Sequence, residues 1–234
     1  MRDYAHYGEQ VDGSGRVALY VPQDWFDLLA DGGDPETVER RFRELIDSSY
    51  PHENSQVRRD FIEALLYWRT SMLHRGMISQ GIITVPEDVE NGPATWQIST
   101  GVVEVPPTSA DINLTALMER QLGSRLHDRE VFLESFPTEM GLGFGVISQP
   151  EFSRNGRFDA FPPLRDPSTL ATHKSEQVRI GLAVVLATPP EGGLGLLVMG
   201  YFLDPEQVLP LAAVVATIGG NSYFVEGLDP DEKM

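Results

Sequence analysis

The last quarter of the chain constrains the fold most. A long apolar hairpin spans Gln177 to Leu203, and a helix with almost no polar face follows from Val208 to Ile218. Along the first strand Val178, Ile180, Leu182, Val184 and Leu186 point one way, and Arg179, Gly181, Ala183, Val185 and Ala187 the other. The second strand, Leu194 to Leu203, is apolar on both faces, as expected for a strand covered on both sides. Pro210 lies close enough to the helix N-terminus to be tolerated with a slight kink. Val208, Leu211, Ala212, Val215 and Ile218 fill one side of this helix, and Leu209, Ala213, Val214 and Ala216 much of the rest. Such a segment must hide under other layers or against a partner. Two readings follow: burial between a sheet and the N-terminal helices, or a surface for a partner protein or a second copy. Trp25, Phe26 and Trp96 divide in the same way between core packing and interface anchoring. Val208, Leu211, Val215, Trp25 and Phe26 are therefore the candidate partner-binding residues.

Upstream, Arg16 to Val21 reads as a short strand ending at Pro22, with Trp25 and Phe26 in the turn beyond it. A first helix is signalled by Asp34 as N-cap, Pro35 at the first helical position and a stripe of Val38, Phe42, Leu45 and Ile46; Tyr50-Pro51 ends it. Ser55 is the expected cap of a second helix running to His74 or Arg75, with a broad apolar face from Phe61 to Leu73. Met77–Val85 and Thr95–Val105 read as paired strands, and Ser109 opens another helix that ends near Gly123. Arg129–Phe136 and Gly143–Ser148 form a further strand pair. Pro150 to His173 has no periodicity and reads as a long surface loop. Strands joined directly to one another imply antiparallel pairing. The expected class is α+β, an antiparallel β-sheet covered by helices with an N-terminal helical pair at residues 34–76. No break in composition divides residues 1–234, so one domain is expected.

Charge narrows the partners. The chain of 234 residues holds 35 acidic against 18 basic side chains, a formal net charge of −17. So negative a surface repels phosphate backbones and anionic headgroups, which argues against nucleic acid and membrane and favours solubility or a basic partner. Asp34 to Gly76 is the segment richest in arginine, yet its seven arginines meet eight carboxylates. No cysteine is present, which removes disulfides, thiol nucleophiles and thiolate metal sites. Residues 1–10 lack an apolar signal core and no apolar run approaches the roughly 20 residues that span a bilayer, so a cytoplasmic protein is expected.

Nothing in the sequence assembles a catalytic, cofactor or metal site. Gly141-Leu-Gly-Phe-Gly145 has the glycines of a phosphate loop, but strand follows it where a helix N-terminus is needed, so close layer approach or a β-bulge explains it. Histidines at 6, 52, 74, 127 and 173 are scattered, with no pair at helical spacing to grip a metal. The serine elbow is absent, and Asp31 and Asp34 lack the further oxygen ligands of a calcium loop.

Val21-Pro-Gln-Asp-Trp-Phe26 at one end, and at the other the hairpin, acidic-proline turn and helix before Ser222-Tyr-Phe224, resemble the ends of the PsbP-like α/β sandwich superfamily. The helical pair is a departure from that pattern or an insertion into it. The resemblance implies a C-terminal helix packed across a central antiparallel sheet, and an accessory protein that binds a larger protein and has no active site to transfer. The expected function is thus a non-enzymatic, acidic accessory protein docking a protein partner, as an adaptor, secretion-linked factor or immunity-type inhibitor. The alternatives are a small-molecule or lipid-binding domain, with a pocket beside the Gly/Ala-rich face of Gln177–Ala187, and an enzyme whose site forms only through tertiary contacts.

Overall fold

Local chemistry starts both N-terminal helices. The computed structural model describes residues 4–12, 15–30, 34–85, 94–105, 107, 132–149, 151–153, 177–202 and 205–225. Helix α1 (Pro35–Ser49) opens where Asp34 accepts the backbone N–H groups of Glu36 and Thr37, with Pro35 in the first turn. Tyr50 closes it with an N–H bond to the Ile46 carbonyl. The second cap differs from expectation. Asn54, not Ser55, holds the extended backbone before α2 (Ser55–His74), and its Oδ1 accepts from Gln56 and Val57 at 2.9 and 3.0 Å. Both residue types cap well; the one standing outside the first turn takes the role. Gly76, at φ +73°, supplies the left-handed step that ends the pair.

The strands are β1 (Tyr4–Asp12), β2 (Gly15–Pro22), β3 (Phe26–Asp27), β4 (Met77–Val85), β5 (Ala94–Val105), β6 (Phe132–Thr138), β7 (Gly141–Ser148), β8 (Glu151–Ser153), β9 (Gln177–Arg179), β10 (Gly181–Thr188), β11 (Gly193–Phe202) and β12 (Tyr223–Val225). A 3-10 turn at Pro205–Gln207 leads into helix α3 (Val208–Asn221). Among the described residues the main sheet has seven strands in the order β3-β4-β5-β11-β10-β7-β6, and a three-stranded sheet has the order β1-β2-β12. Every pairing is antiparallel. The α+β class expected from direct strand connections is the class observed.

Consecutive residues of β4 show how the layers stack. Ile83 joins a core of Leu19, Val21, Trp25, Ile98, Val185, Leu196, Val198, Leu211, Val215 and Ile218, whereas Ile82 packs against Phe42, Ile46, Ile62 and Met72. Neighbours on a strand point to opposite faces. Helix α3 and strand β2 therefore cover one face of the main sheet, and the helical pair covers the β3–β4 end of the other. This corrects the expectation that the helical pair lies over α3. Strand β2 is what covers it.

Close approach of α3 depends on missing side chains. A Cβ built on Gly200 would lie 2.6 Å from Val215 Cγ2 and 2.8 Å from Leu211 Cδ1, and one on Gly219 2.5 Å from Val185 Cγ1. Ser222 locks the far end: its hydroxyl donates to the Ile218 carbonyl at 2.6 Å and accepts the Tyr20 N–H at 2.9 Å, tying α3 to β2.

Two further differences from the sequence reading are local. Strand β1 was not foreseen, because Tyr4–Asp12 reads as a polar terminus. Within the segment read as a loop from Pro150, Glu151–Ser153 forms β8 and pairs with β9. The expected hairpin accordingly divides at Ile180, β9 joining β8 and β10 joining β11. The helix expected from Ser109 lies outside the described residues.

Gly200→Ala is expected to lower unfolding stability by about 1–3 kcal/mol through overpacking against α3. Gly101→Ala, whose Cβ would meet the flexible Met77 Cε at 3.3 Å, is expected to leave it nearly unchanged. Urea denaturation of the two variants checks this. At the α1 cap, the Thr37 hydroxyl, donating at 2.5 Å, chiefly holds the Asp34 carboxyl below its ordinary value of 3.8. A lowered folded-state pKa contributes stability above the unfolded value and loses it as pH falls through the folded one. The gap in melting temperature between wild type and Asp34→Asn is therefore expected to narrow as pH is lowered through and below 3.8.

Candidate functional site

Most of the residues singled out as partner-binding lie inside the protein. Leu211 and Val215 have 0% exposure, Val208 5% and Trp25 8%. Leu211 and Val215 face Gly200 on β11, Val208 packs where a Cβ on Gly181 would stand, and the Trp25 ring covers Gly81. These positions form the core instead of a docking surface, a correction of the interface reading. Phe26 is half-buried, 6.4 Å between ring centroids from Phe42 and 5.0 Å from the Arg41 guanidinium carbon. It anchors α1 to the sheet. Sequence pattern identifies apolar anchors, and the anchored surfaces here belong to the same chain.

Polar groups gather around β3 and the segment that follows it. Asp27 accepts the Leu29 N–H at 2.8 Å, the Gln80 N–H at 3.0 Å and the Ser79 hydroxyl at 2.6 Å. These three bonds hold a carboxylate that is 1% exposed, and they fix β3 and the irregular segment after it to β4. Arg69 donates to the Leu28 carbonyl at 2.7 Å, and Arg41 to the carbonyls of Ala30 and Asp27, both at 3.3 Å. Arginine reaches several carbonyls through its planar fork, so these cations brace a strandless segment from the helices above it.

On the sheet face of Ile82, Ser99 donates to the Gln80 side chain and Tyr201 to Gln97 at 2.5 Å. Burial pushes the Tyr201 hydroxyl far above the usual tyrosine range, against a smaller opposite effect from Gln80, so it serves as a donor rather than a base. This strip joins neighbouring strands. Among the described residues no histidine joins it; His52 and His74 lie exposed on or beside the helical pair. Gly141–Gly145 lies within β7, and the Phe136 ring lies within 2.9 Å of where a Cβ on Gly143 would stand. Close side-chain approach accounts for that glycine, and no helix follows to hold a phosphate.

What remains open is an edge. Strand β6 is the last strand of the main sheet among the described residues, paired with β7 on one side. Phe132 is 57% exposed and Leu133 47%. Among the described residues these are the two large apolar side chains that are both exposed and adjacent in sequence; Tyr50, Tyr67, Leu73, Leu209 and Tyr223 are exposed singly. Alternation puts Phe132 and Leu133 on opposite faces of the sheet rim. Sequence reading placed both within a strand, but nothing local to them says that the strand ends a sheet.

Charge is divided between the two ends of the sheet. The helical pair carries Arg40, Arg41, Arg43, Arg58, Arg59 and Arg69 among its carboxylates. Residues 132–149, 177–202 and 205–225 contain Glu134, Glu139, Glu191 and Glu206, all exposed, and one cation, the exposed Arg179 on β9. Among the described residues no helix is long and apolar enough to cross a membrane.

No protein-family model matches the chain, and no curated protein matches it. A solved structure similar to it is described as the crystal structure of LpqN involved in cell envelope biogenesis of Mycobacterium tuberculosis. The two share 12% identity over 96% of this chain and 91% of that one, with a TM-score of 0.38. At that score the likeness carries no argument about this protein.

Asp27→Ala is expected to leave three buried donors without an acceptor and to cost about 2–4 kcal/mol of stability, measured by chemical denaturation. A loss below about 0.5 kcal/mol contradicts a bracing role for this carboxylate.

Proposed function

We propose that this protein is a non-enzymatic accessory protein that docks a partner protein, and that the β6 rim is where it docks. The observation that carries this reading is the adjacent pair Phe132 and Leu133, more than half and nearly half exposed on a strand that ends its sheet. Apolar side chains adjacent on a rim gain most from being covered, and aromatic anchors contribute heavily to interface affinity. The Asp27 carboxylate, bonded to three donors of β4 and its own segment, and the neutral Tyr201 hydroxyl support structural roles for the buried polar groups. The resemblance of both chain ends to the PsbP-like sandwich points to the same kind of role.

The test is affinity purification of the tagged protein from its host, beside the double variant Phe132→Asp with Leu133→Asp. Wild type is expected to recover a stoichiometric partner that the variant loses by about tenfold or more, while the variant keeps its melting temperature. Recovery of no stoichiometric partner at low salt, or undiminished recovery by the variant, contradicts the proposal.

A further inference from the structure

Resting on the docking reading above, we infer that the occupant of the β6 rim is an extended, basic segment of the partner, added to the main sheet as an eighth strand. An edge strand presents unpaired backbone N–H and C=O groups along one side, and native proteins blunt such edges with lysine, bulges or proline. Strand β6, Phe-Leu-Glu-Ser-Phe-Pro-Thr, carries no lysine, and its register with β7 runs unbroken from Phe132↔Ile147 to Thr138↔Gly141. Pro137 removes one donor near the C-terminal end, leaving the run from Phe132 to Phe136 with its backbone donors. An incoming strand pairs with that run through main-chain hydrogen bonds and sets alternate side chains beside Phe132 on one face and Leu133 on the other.

Charge selects the segment. Glu134 shares the face of Phe132 and Phe136, and its side chain is exposed, so a lysine or arginine opposite it forms a favourable cross-strand pair. Residues 132–149, 177–202 and 205–225 add Glu139, Glu191 and Glu206 against one cation, Arg179. A second copy would bring its own Glu134 to this edge and a further formal charge of −17. Like charges facing each other across a strand pair oppose that arrangement. A basic strand meets no such penalty.

The probe is a fluorescent peptide of about seven residues alternating valine with lysine, compared with the same peptide bearing glutamate in place of lysine. The lysine peptide is expected to bind, with hydrogen-exchange protection confined to Phe132–Thr138 and the β7 strand behind it. The glutamate peptide is expected to bind about tenfold more weakly or not at all, and high salt to weaken the lysine peptide by a similar factor. Leu133→Asp and Glu134→Lys should each weaken the lysine peptide by about tenfold without changing the melting temperature. Equal binding of the two peptides, protection elsewhere, or no binding overturns the inference. So does a wild-type dimer in sedimentation that Leu133→Asp dissociates, because a second copy then holds the rim. A partner recovered by wild type and lost with the Phe132/Leu133 double variant, alongside any of those peptide results, leaves the docking function standing and removes only the basic-strand occupant.

Discussion

An apolar helix with one face sealed against the main sheet organises the rest of the molecule. Helix α3 places Leu211, Val215 and Ile218 at 0% exposure between the main sheet and strand β2. Burying side chains of this size contributes roughly 1.5–3 kcal/mol each relative to leaving them in water. The contact is possible because Gly200 and Gly219 let backbone and helix come together. Both ends of the helix are tied to structure: Val208 packs against Gly181, the Glu139 N–H donates to the Gly220 carbonyl at 2.9 Å, and Ser222 is bonded to Tyr20. α3 and β2 close one face of the sheet and the helical pair closes an end of the other, while the β6 rim keeps Phe132 and Leu133 exposed.

The division of arginine follows from the same arrangement. The helical pair lies over a segment, Leu28–Ala30, that has no strand partner of its own for its carbonyl groups. Arg41 and Arg69 satisfy those carbonyls from above, and the Arg41 guanidinium also lies over Phe26. Arg58 bridges to Asp47 across the two helices at 2.9 Å, a partly exposed pair that contributes little to stability. These arginines serve internal bracing. The far end of the sheet has no irregular segment to brace among its described residues, and its exposed carboxylates Glu134, Glu139, Glu191 and Glu206 outnumber its one described cation, Arg179, so the electrostatic asymmetry of the described residues follows where donors are needed.

Much of the fold was legible because it rests on short-range chemistry. Asp34-Pro35, the glycine at 76, the β4–β5 pair and the alternation of β10 are local signals, and each appears where the residues put it. Asn54 taking the cap from Ser55 is a one-residue miss between equivalent cap formers. Layer assignment was less legible: the helical pair and α3 both present an apolar face that can pack on a sheet, and only the parity of Ile82 and Ile83 separates their faces. The candidate site failed for a related reason. A side chain such as Leu211 or Trp25 reads identically whether its cover is another chain or its own β2 sheet. The rim at Phe132–Leu133 was invisible because being the last strand is a property of topology. The scarcity of cations in 132–149, 177–202 and 205–225 was visible in the sequence, but it becomes informative only once those segments are known to lie side by side.

Native-state hydrogen exchange tests most directly whether α3 is the element on which both sheets depend. If it is, the amides of Leu211–Asn221 exchange only through global unfolding, with the same opening free energy and denaturant dependence as β10 and β11. Exchange of α3 through a lower-energy opening that leaves β10 and β11 protected would contradict the account, because the helix would then be a detachable cover instead of the centre of the core.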